Sequence, residues 1–271
     1  MADLPQPGRP YVNLSACGGR LAATINEHGA SDLFVGWVDR AAMTRLTTSG
    51  STIEPVWMPD CRTIAYASSA AGPMSIYTQP ADGSTPARRL LESPRPQAPG
   101  SWSKDGTRFT YVQIETDTAA DIWLLDTASG AARPLVATRA TEAAPRLSPD
   151  GRWLAYESSE SGQSQVYVMS VDSGARQLVS PERGSSPAWA PDGRALFYLA
   201  NGGIDRVSFD VRGGEATVSA PSRVISHPDI MVFRALDEGL VVARRTAEHL
   251  PLTRLNLVLN WFTELRQIAP N

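Results

Sequence analysis

The sequence is poor in the residues that most often announce a chemistry. Among 271 residues there are two cysteines, three histidines and a single lysine, Lys104. Two cysteines, Cys17 and Cys61, are too few for a disulfide framework and form no CxxC pair. No run approaches the ~18 consecutive apolar residues of a membrane-spanning helix. Neither charge sign dominates: 25 Lys+Arg stand against 28 Asp+Glu, a formal charge of -3, and the arginines are scattered. That balance argues against nucleic acid as a partner, since non-specific binding needs a basic surface. The first ten residues hold no apolar h-region, so the chain as written reads as cytoplasmic. A periplasmic or extracellular location would need a leader ahead of it.

Catalytic signatures are also missing. No Gly-x-Ser-x-Gly elbow, P-loop, His-Glu-x-x-His or calcium-loop pattern occurs. No cofactor is expected.

What the chain does have is a repeat. Leu147-Ser148-Pro149-Asp150-Gly151 leads into Trp153-Leu154-Ala155-Tyr156. Trp57-Met58-Pro59-Asp60-Cys61, Trp102-Ser103-Lys104-Asp105-Gly106 and Trp189-Ala190-Pro191-Asp192-Gly193 lead into matching apolar segments ending at Tyr66, Tyr111 and Tyr198. Leu14 to Gly18 is a worn first copy, and Val232-Phe233 to Val242 a last copy without its turn. Positions 17, 60, 105, 150 and 192 are equivalent, at intervals of 43, 45, 45 and 42 residues, so six units fill the chain. In the clearest unit Pro149 presets the turn and Gly151 closes it, joining two short apolar strands. A third strand follows a polar loop, as at Ile122-Trp123-Leu124, and in most units a fourth, as at Arg176-Gln177-Leu178.

Four short antiparallel strands per ~40–45 residues, repeated radially, are the pattern of a β-propeller. The expected architecture is therefore all-β: one six-bladed propeller over 1–271 with a short C-terminal helix. Its four-stranded blades fall near 10–48, 52–92, 97–136, 142–180, 185–225 and 229–262. Trp57, Trp102 and Trp189 share one equivalent position and are expected to pack between blades.

The Pro-Asp-Gly turn followed by a Tyr-ending apolar strand, at Ser148 to Tyr156 and Pro191 to Tyr198, resembles the TolB-like, WD-repeat-like propellers. The tail Leu257 to Leu265 is similar to the end of propellers attached to bacterial serine/threonine protein kinases. No kinase motif accompanies it. The resemblance implies an interaction or sensor module, a monomer that binds a protein or peptide.

Four local expectations follow. Cys61 occupies the glycine position of its turn, which predicts positive φ and a gain of ~0.5–1 kcal/mol for Cys61→Gly. Cys17 and Cys61 lie on equivalent loops of adjacent blades; a sixty-degree rotation between them predicts free thiols, beyond the ~7 Å reach of a disulfide. Ala2 to Pro5 can supply the strand missing from the last unit. Trp261, Phe262, Leu265 and Ile268 have helical spacing after the capping residue Asn260.

A propeller gathers its ligand loops on one face. Arg95, Arg139 and Arg183 enter successive blades and, with Glu54 and Glu142, mark the candidate face for a partner. The three histidines fall near the seam of the ring. His28, His227, Asp229 and His249, beside Glu27 and Glu248, are weak candidates for a metal site. Glu115, Asp117 and Asp121 form an acidic loop that could take a cation. Two enzyme-linked alternatives remain open. One is a metal-dependent propeller hydrolase of the lactonase kind, although the inward positions Val56, Ser101, Arg146 and Ala188 offer it few ligands. The other is the gating domain of a prolyl-oligopeptidase-like peptidase lacking its hydrolase domain.

Overall fold

The computed structural model describes residues 2–3, 11–38, 40, 42–227, 230–236, 239–244 and 254–259. Every regular element among them is a β-strand. Strand β1 (Ala2–Asp3) stands apart in sequence from its partners. The first sheet contains β2 (Tyr11–Cys17), β3 (Arg20–Glu27), β4 (Ala30–Trp37) and β5 (Met43–Arg45). The second contains β6 (Thr52–Trp57), β7 (Thr63–Ser68), β8 (Ser75–Pro80) and β9 (Arg88–Arg89). The third contains β10 (Gln97–Trp102), β11 (Arg108–Glu115), β12 (Ala119–Asp126) and β13 (Ala132–Val136). The fourth contains β14 (Glu142–Leu147), β15 (Trp153–Ser158), β16 (Gln165–Ser170) and β17 (Arg176–Leu178).

The fifth sheet runs β18 (Gly184–Trp189), β19 (Ala195–Ala200) and β20 (Gly203–Arg212). Its outer position is shared, because β20 is long enough to pair β22 (Ser222–Ser226) along Gly203–Arg206 and β21 (Glu215–Val218) along Phe209–Arg212. The last sheet holds β23 (Ile230–Leu236), β24 (Gly239–Arg244) and β25 (Arg254–Leu259). Strand β1 completes it, Ala2 opposite Leu257 and Asp3 opposite Asn256. All pairings within the sheets are antiparallel. The first strands β2, β6, β10, β14, β18 and β23 each touch the next, and β23 touches β2. This is a β-propeller arrangement. The amphipathic segment expected after Asn260 lies outside the described residues.

Burial follows position within a sheet. The second and third strands are covered on both sides: Trp153 to Tyr156 in β15 and Gln165 to Met169 in β16 are all buried. The outermost strands carry arginines instead, at Arg45, Arg88, Arg133 and Arg176, which blunts edges that would otherwise recruit another strand. Between sheets the core is aromatic. Trp57 packs with Leu33 and Val35 of the first sheet and Ile64 and Tyr66 of its own, and its Nε1 donates to the Ser15 carbonyl at 3.3 Å. Trp189 does the same between the fourth and fifth sheets, donating to the Arg146 carbonyl at 2.9 Å. Trp102 is half-buried and stacks on Phe109, ring centroids 4.3 Å apart. Burial pushes the Tyr66 and Tyr111 phenols up to about 12.

The turn motif explains itself as a hydrogen-bond box. The Ser148 hydroxyl donates to Asp150 Oδ1 at 2.6 Å and accepts from the Trp153 amide at 2.9 Å, while Asp150 Oδ1 also accepts from the Arg152 amide. Ser103, Asp105, Thr107 and Arg108 repeat the pattern. Gly151 sits at φ 70, the left-handed conformation that closes the turn. Burial works against the Asp150 charge, yet the Ser148 hydroxyl and Arg152 hold its carboxyl below the usual range.

Cys61 takes the same conformation, φ 51, as its place in the turn predicts. The expectation of free thiols is overturned: Cys17 and Cys61 form a disulfide, with Cα atoms 5.4 Å apart. The rotation argument failed because these turns close the first strands, β2 and β6, which are direct neighbours in the inner ring. A rotation about the axis separates points little when they lie near it. The expected gain from Cys61→Gly falls with the free thiol.

Candidate functional site

Each first strand is bulged against its second strand. The register slips between Tyr11 and Asn13, Ile53 and Val56, Pro99 and Ser101, Ala143 and Arg146, Ser185 and Ala188, and Ile230 and Val232. In four of these strands a proline lies at the slip (Pro55, Pro99, Pro145 and Pro187), where a missing N–H breaks the ladder. Just before three of these prolines the backbone turns to positive φ: Glu54 at 53, Ala144 at 49 and Ser186 at 52. In the third sheet Gly100 fills the tight place; a Cβ there would meet Pro145 Cγ at 2.5 Å and the Thr110 carbonyl at 2.8 Å.

Arg146 follows the bulge of β14. Its Nη1 donates to the carbonyls of Gly100, 2.8 Å, and Pro145, 2.9 Å. Burial lowers the pKa of this guanidinium, although the Glu54 and Glu157 carboxylates pull it the other way. Glu54 belongs to the second sheet and Arg146 to the fourth, so their charges act on each other across the convergence of the first strands. Glu157 Oε1 accepts from the Ser186 amide at 2.6 Å, tying the fourth sheet to the bulge of the fifth. The centre thus holds one guanidinium and two carboxylates among strained backbone. Arg146 was legible as the lone charge at a position where the other repeats have Val56, Ser101 and Ala188. Glu157 carries no such signal.

The predicted residues divide. Arg95 is half-buried and ion-paired with Glu115, whose Oε1 also accepts from Gln113 Nε2 at 2.6 Å. Arg139 and Arg183 are exposed and make no ion pair among the described residues. Glu142 lies at the start of β14 with no exposed surface, and its Oε1 accepts from the Thr138 hydroxyl at 2.5 Å. Burial raises its pKa, and the neighbouring Asp121 and Glu160 add to the rise. Asp121 is buried in β12, whereas Asp117 is exposed, so the acidic loop does not act as one unit. His28 is exposed in the β3–β4 hairpin, and the His227 amide donates to the Gly202 carbonyl at 2.9 Å. Asp229, Glu248 and His249 lie outside the described residues. Among the described residues no group of three or more His, Cys, Asp or Glu side chains gathers to hold a metal ion. Nor is any helix among them long and apolar enough to cross a membrane.

The family comparison agrees with this architecture. Residues 86–217 match the TolB beta propeller domain. The chain is 29% identical over 174 residues to the protein Atu1656 of Agrobacterium fabrum, covering 56% of this chain and 58% of that one. It is 31% identical over 158 residues to the Tol-Pal system protein TolB of Bordetella pertussis, covering 56% and 36% respectively. The chain therefore spans less than two thirds of these relatives. Among solved structures, TolB from Acinetobacter baumannii superposes with a TM-score of 0.63 at 18% identity, over 88% of this chain and 63% of that one. An oligogalacturonate lyase in complex with manganese gives 0.63 at 15% identity, over 91% and 74%. At such identities these two likenesses speak for the fold alone. The inner ring of bulged strands, the repeated turn boxes and the domain match over 86–217 together describe a β-propeller whose central part is similar to the TolB propeller domain.

Proposed function

We propose that the chain is a closed six-bladed propeller serving as a non-catalytic platform for a protein or peptide. The partner is held over the face that carries Arg139 and Arg183, with Arg146, Glu54 and Glu157 at its centre. The observation that carries this reading is the half-buried Arg146 beside the bulges of the first strands, near enough to Glu54 of a non-neighbouring sheet for their charges to interact. A folded core has no need of half-buried charges brought together from non-neighbouring strands, whereas a recognition centre uses both signs to fix the register of a bound segment. Arg139 and Arg183 supply exposed cations around it. Arg95, already held by Glu115, contributes less. The Cys17–Cys61 disulfide supports residence in an oxidising compartment, where such bonds persist.

The test is selection of a peptide library on the purified chain, followed by titration of the recovered peptides. Arg139→Glu with Arg183→Glu should weaken their binding at least tenfold, and Arg146→Met should abolish it, with melting temperatures near that of the parent for the double variant. Unchanged affinities in both variants would place the binding surface elsewhere.

A further inference from the structure

The repeat makes it possible to ask which residue is missing from a position that other repeats fill. In the first sheet Asp32 is buried at the start of β4, and Arg45, opposite Phe34 on the edge strand, reaches back to pair with it. In the second sheet Arg89, opposite Tyr77, takes the same route to the Ser75 hydroxyl at 2.8 Å. Both arginines stand opposite the residue two places beyond the buried polar one. In the third sheet the buried residue is again an aspartate, Asp121, 4% exposed. The residue opposite Trp123, two places on, is Pro134. That repeat keeps a buried carboxylate but has no arginine at this position.

The surroundings add negative charge instead of removing it. Glu142, the first residue of β14, is fully buried and close enough for Asp121 to act on its charge. The Thr118 hydroxyl takes Asp121 Oδ2 at 2.8 Å and the Thr138 hydroxyl takes Glu142 Oε1. Asp121 Oδ1 and Glu142 Oε2 are left buried without a partner. The hydroxyl of Tyr156, whose residue is also fully covered, lies nearby and faces the Arg176 guanidinium. Glu142 lies opposite Ser158 in the β14–β15 register, which puts Tyr156, two residues back, on the same side of the sheet. The neighbouring cation, Arg176, is committed to Glu160 at 2.8 Å, to the Tyr156 hydroxyl and to the Tyr167 ring, so it does not neutralise Asp121.

We propose that Asp121 and Glu142 hold a single Ca²⁺ between the third and fourth sheets, in the place that Arg45 fills in the first. The donors are all hard oxygens, and two unpaired carboxylates match one divalent charge. Calcium accepts irregular oxygen sets, including hydroxyl and water oxygens, whereas magnesium demands near-octahedral geometry and dehydrates reluctantly. The rival occupant is a proton shared by the two carboxyls, which would satisfy Oδ1 and Oε2 without a metal.

The test begins with protein stripped by chelator and titrated calorimetrically with CaCl₂ and, separately, MgCl₂. The proposal expects one Ca²⁺ per chain and, at 100 times its dissociation constant, a melting temperature raised by ~5 °C or more. Asp121→Asn and Glu142→Gln should abolish both signals. Pro134→Arg, which restores the missing guanidinium on an exposed edge, should raise the metal-free melting temperature and also abolish the calcium response. Absence of heat and of a thermal shift in the parent chain overturns the proposal, and so does a calcium shift that survives in Asp121→Asn. A metal-free Glu142→Gln that melts above the parent, with calcium inert, assigns the pair to a shared proton and also overturns it. None of these results bears on the partner surface at Arg139 and Arg183.

Discussion

Reducing the Cys17–Cys61 bond is the perturbation whose size the structure fixes best. The bond closes a loop of 44 residues between adjacent sheets. In the chain-entropy description, such a loop removes freedom from the unfolded chain worth ~4 kcal/mol at 25 °C. At ~2–4 °C per kcal/mol for a domain of this size class, reduction should lower the melting temperature by ~8–16 °C. Replacing Cys61 separates two effects, because this residue is also held at φ 51. Cys61→Ala loses the bond and keeps the backbone cost. Cys61→Gly loses the bond and recovers ~1 kcal/mol of left-handed strain, so it should melt ~2–4 °C above Cys61→Ala while staying below the oxidised parent. The assay is differential scanning fluorimetry with and without a phosphine reductant, with free thiols counted in parallel. A reduced parent that melts with the oxidised one would refute the entropic reasoning. A Cys61→Gly variant no more stable than Cys61→Ala would refute the strain.

Other expectations follow from the turns and the axis. Ser148→Ala should cost ~1–3 kcal/mol, read by urea denaturation, because the buried Trp153 amide loses its acceptor. Acid should destabilise the turns: backbone and hydroxyl donors hold Asp60, Asp105 and Asp150 below their ordinary values. Their contribution is present above ~pH 3.9 and is lost as pH falls through the lowered folded-state values, so Asp150→Asn should flatten the acid limb of a melting-temperature profile. Gly100→Ala should destabilise by more than ~1 kcal/mol in the same denaturation, since its Cβ meets Pro145 and the Thr110 carbonyl at under 3 Å. Glu54→Gly should raise stability by ~1 kcal/mol by relieving φ 53, yet weaken peptide binding. A gain in stability with no loss of binding would remove Glu54 from the recognition centre.

The fold was legible because its signals are local and repeated. Ser148 and Asp150 supply the hydrogen bonds of one turn and Pro149 and Gly151 its dihedrals, so the motif is visible wherever the turn is. Trp57 and Trp189 read correctly as packing between sheets because an indole needs both an apolar neighbour and an acceptor, and the adjacent first strand supplies them. The disulfide was misread for a geometric reason. Spacing gives the angle between repeats but not the radius at which Cys17 and Cys61 lie. The divided outer edge of the fifth sheet was equally hidden, since the length of β20 decides it and the Ser219-Ala220-Pro221 connection does not reveal that both flanking strands pair the same neighbour.

The candidate site was less legible because a repeat displays what its units share, while function lies in the places where they differ. Arg95, Arg139 and Arg183 occupy equivalent positions in sequence, yet Glu115 stands beside the first of them alone, and that single neighbour separates one arginine from the other two. Arg146 is an exception among small or apolar residues, and the carboxylate that answers it comes from two sheets away. No spacing rule connects positions 54 and 146; the closing of the inner ring does. The same holds for Asp121, whose meaning depends on Pro134 failing to be an arginine. Once the register is fixed, each departure from the repeat becomes a local imbalance of charge or hydrogen bonding. In this propeller the imbalances fall at the axis and between the third and fourth sheets, which is where a ligand has something to correct.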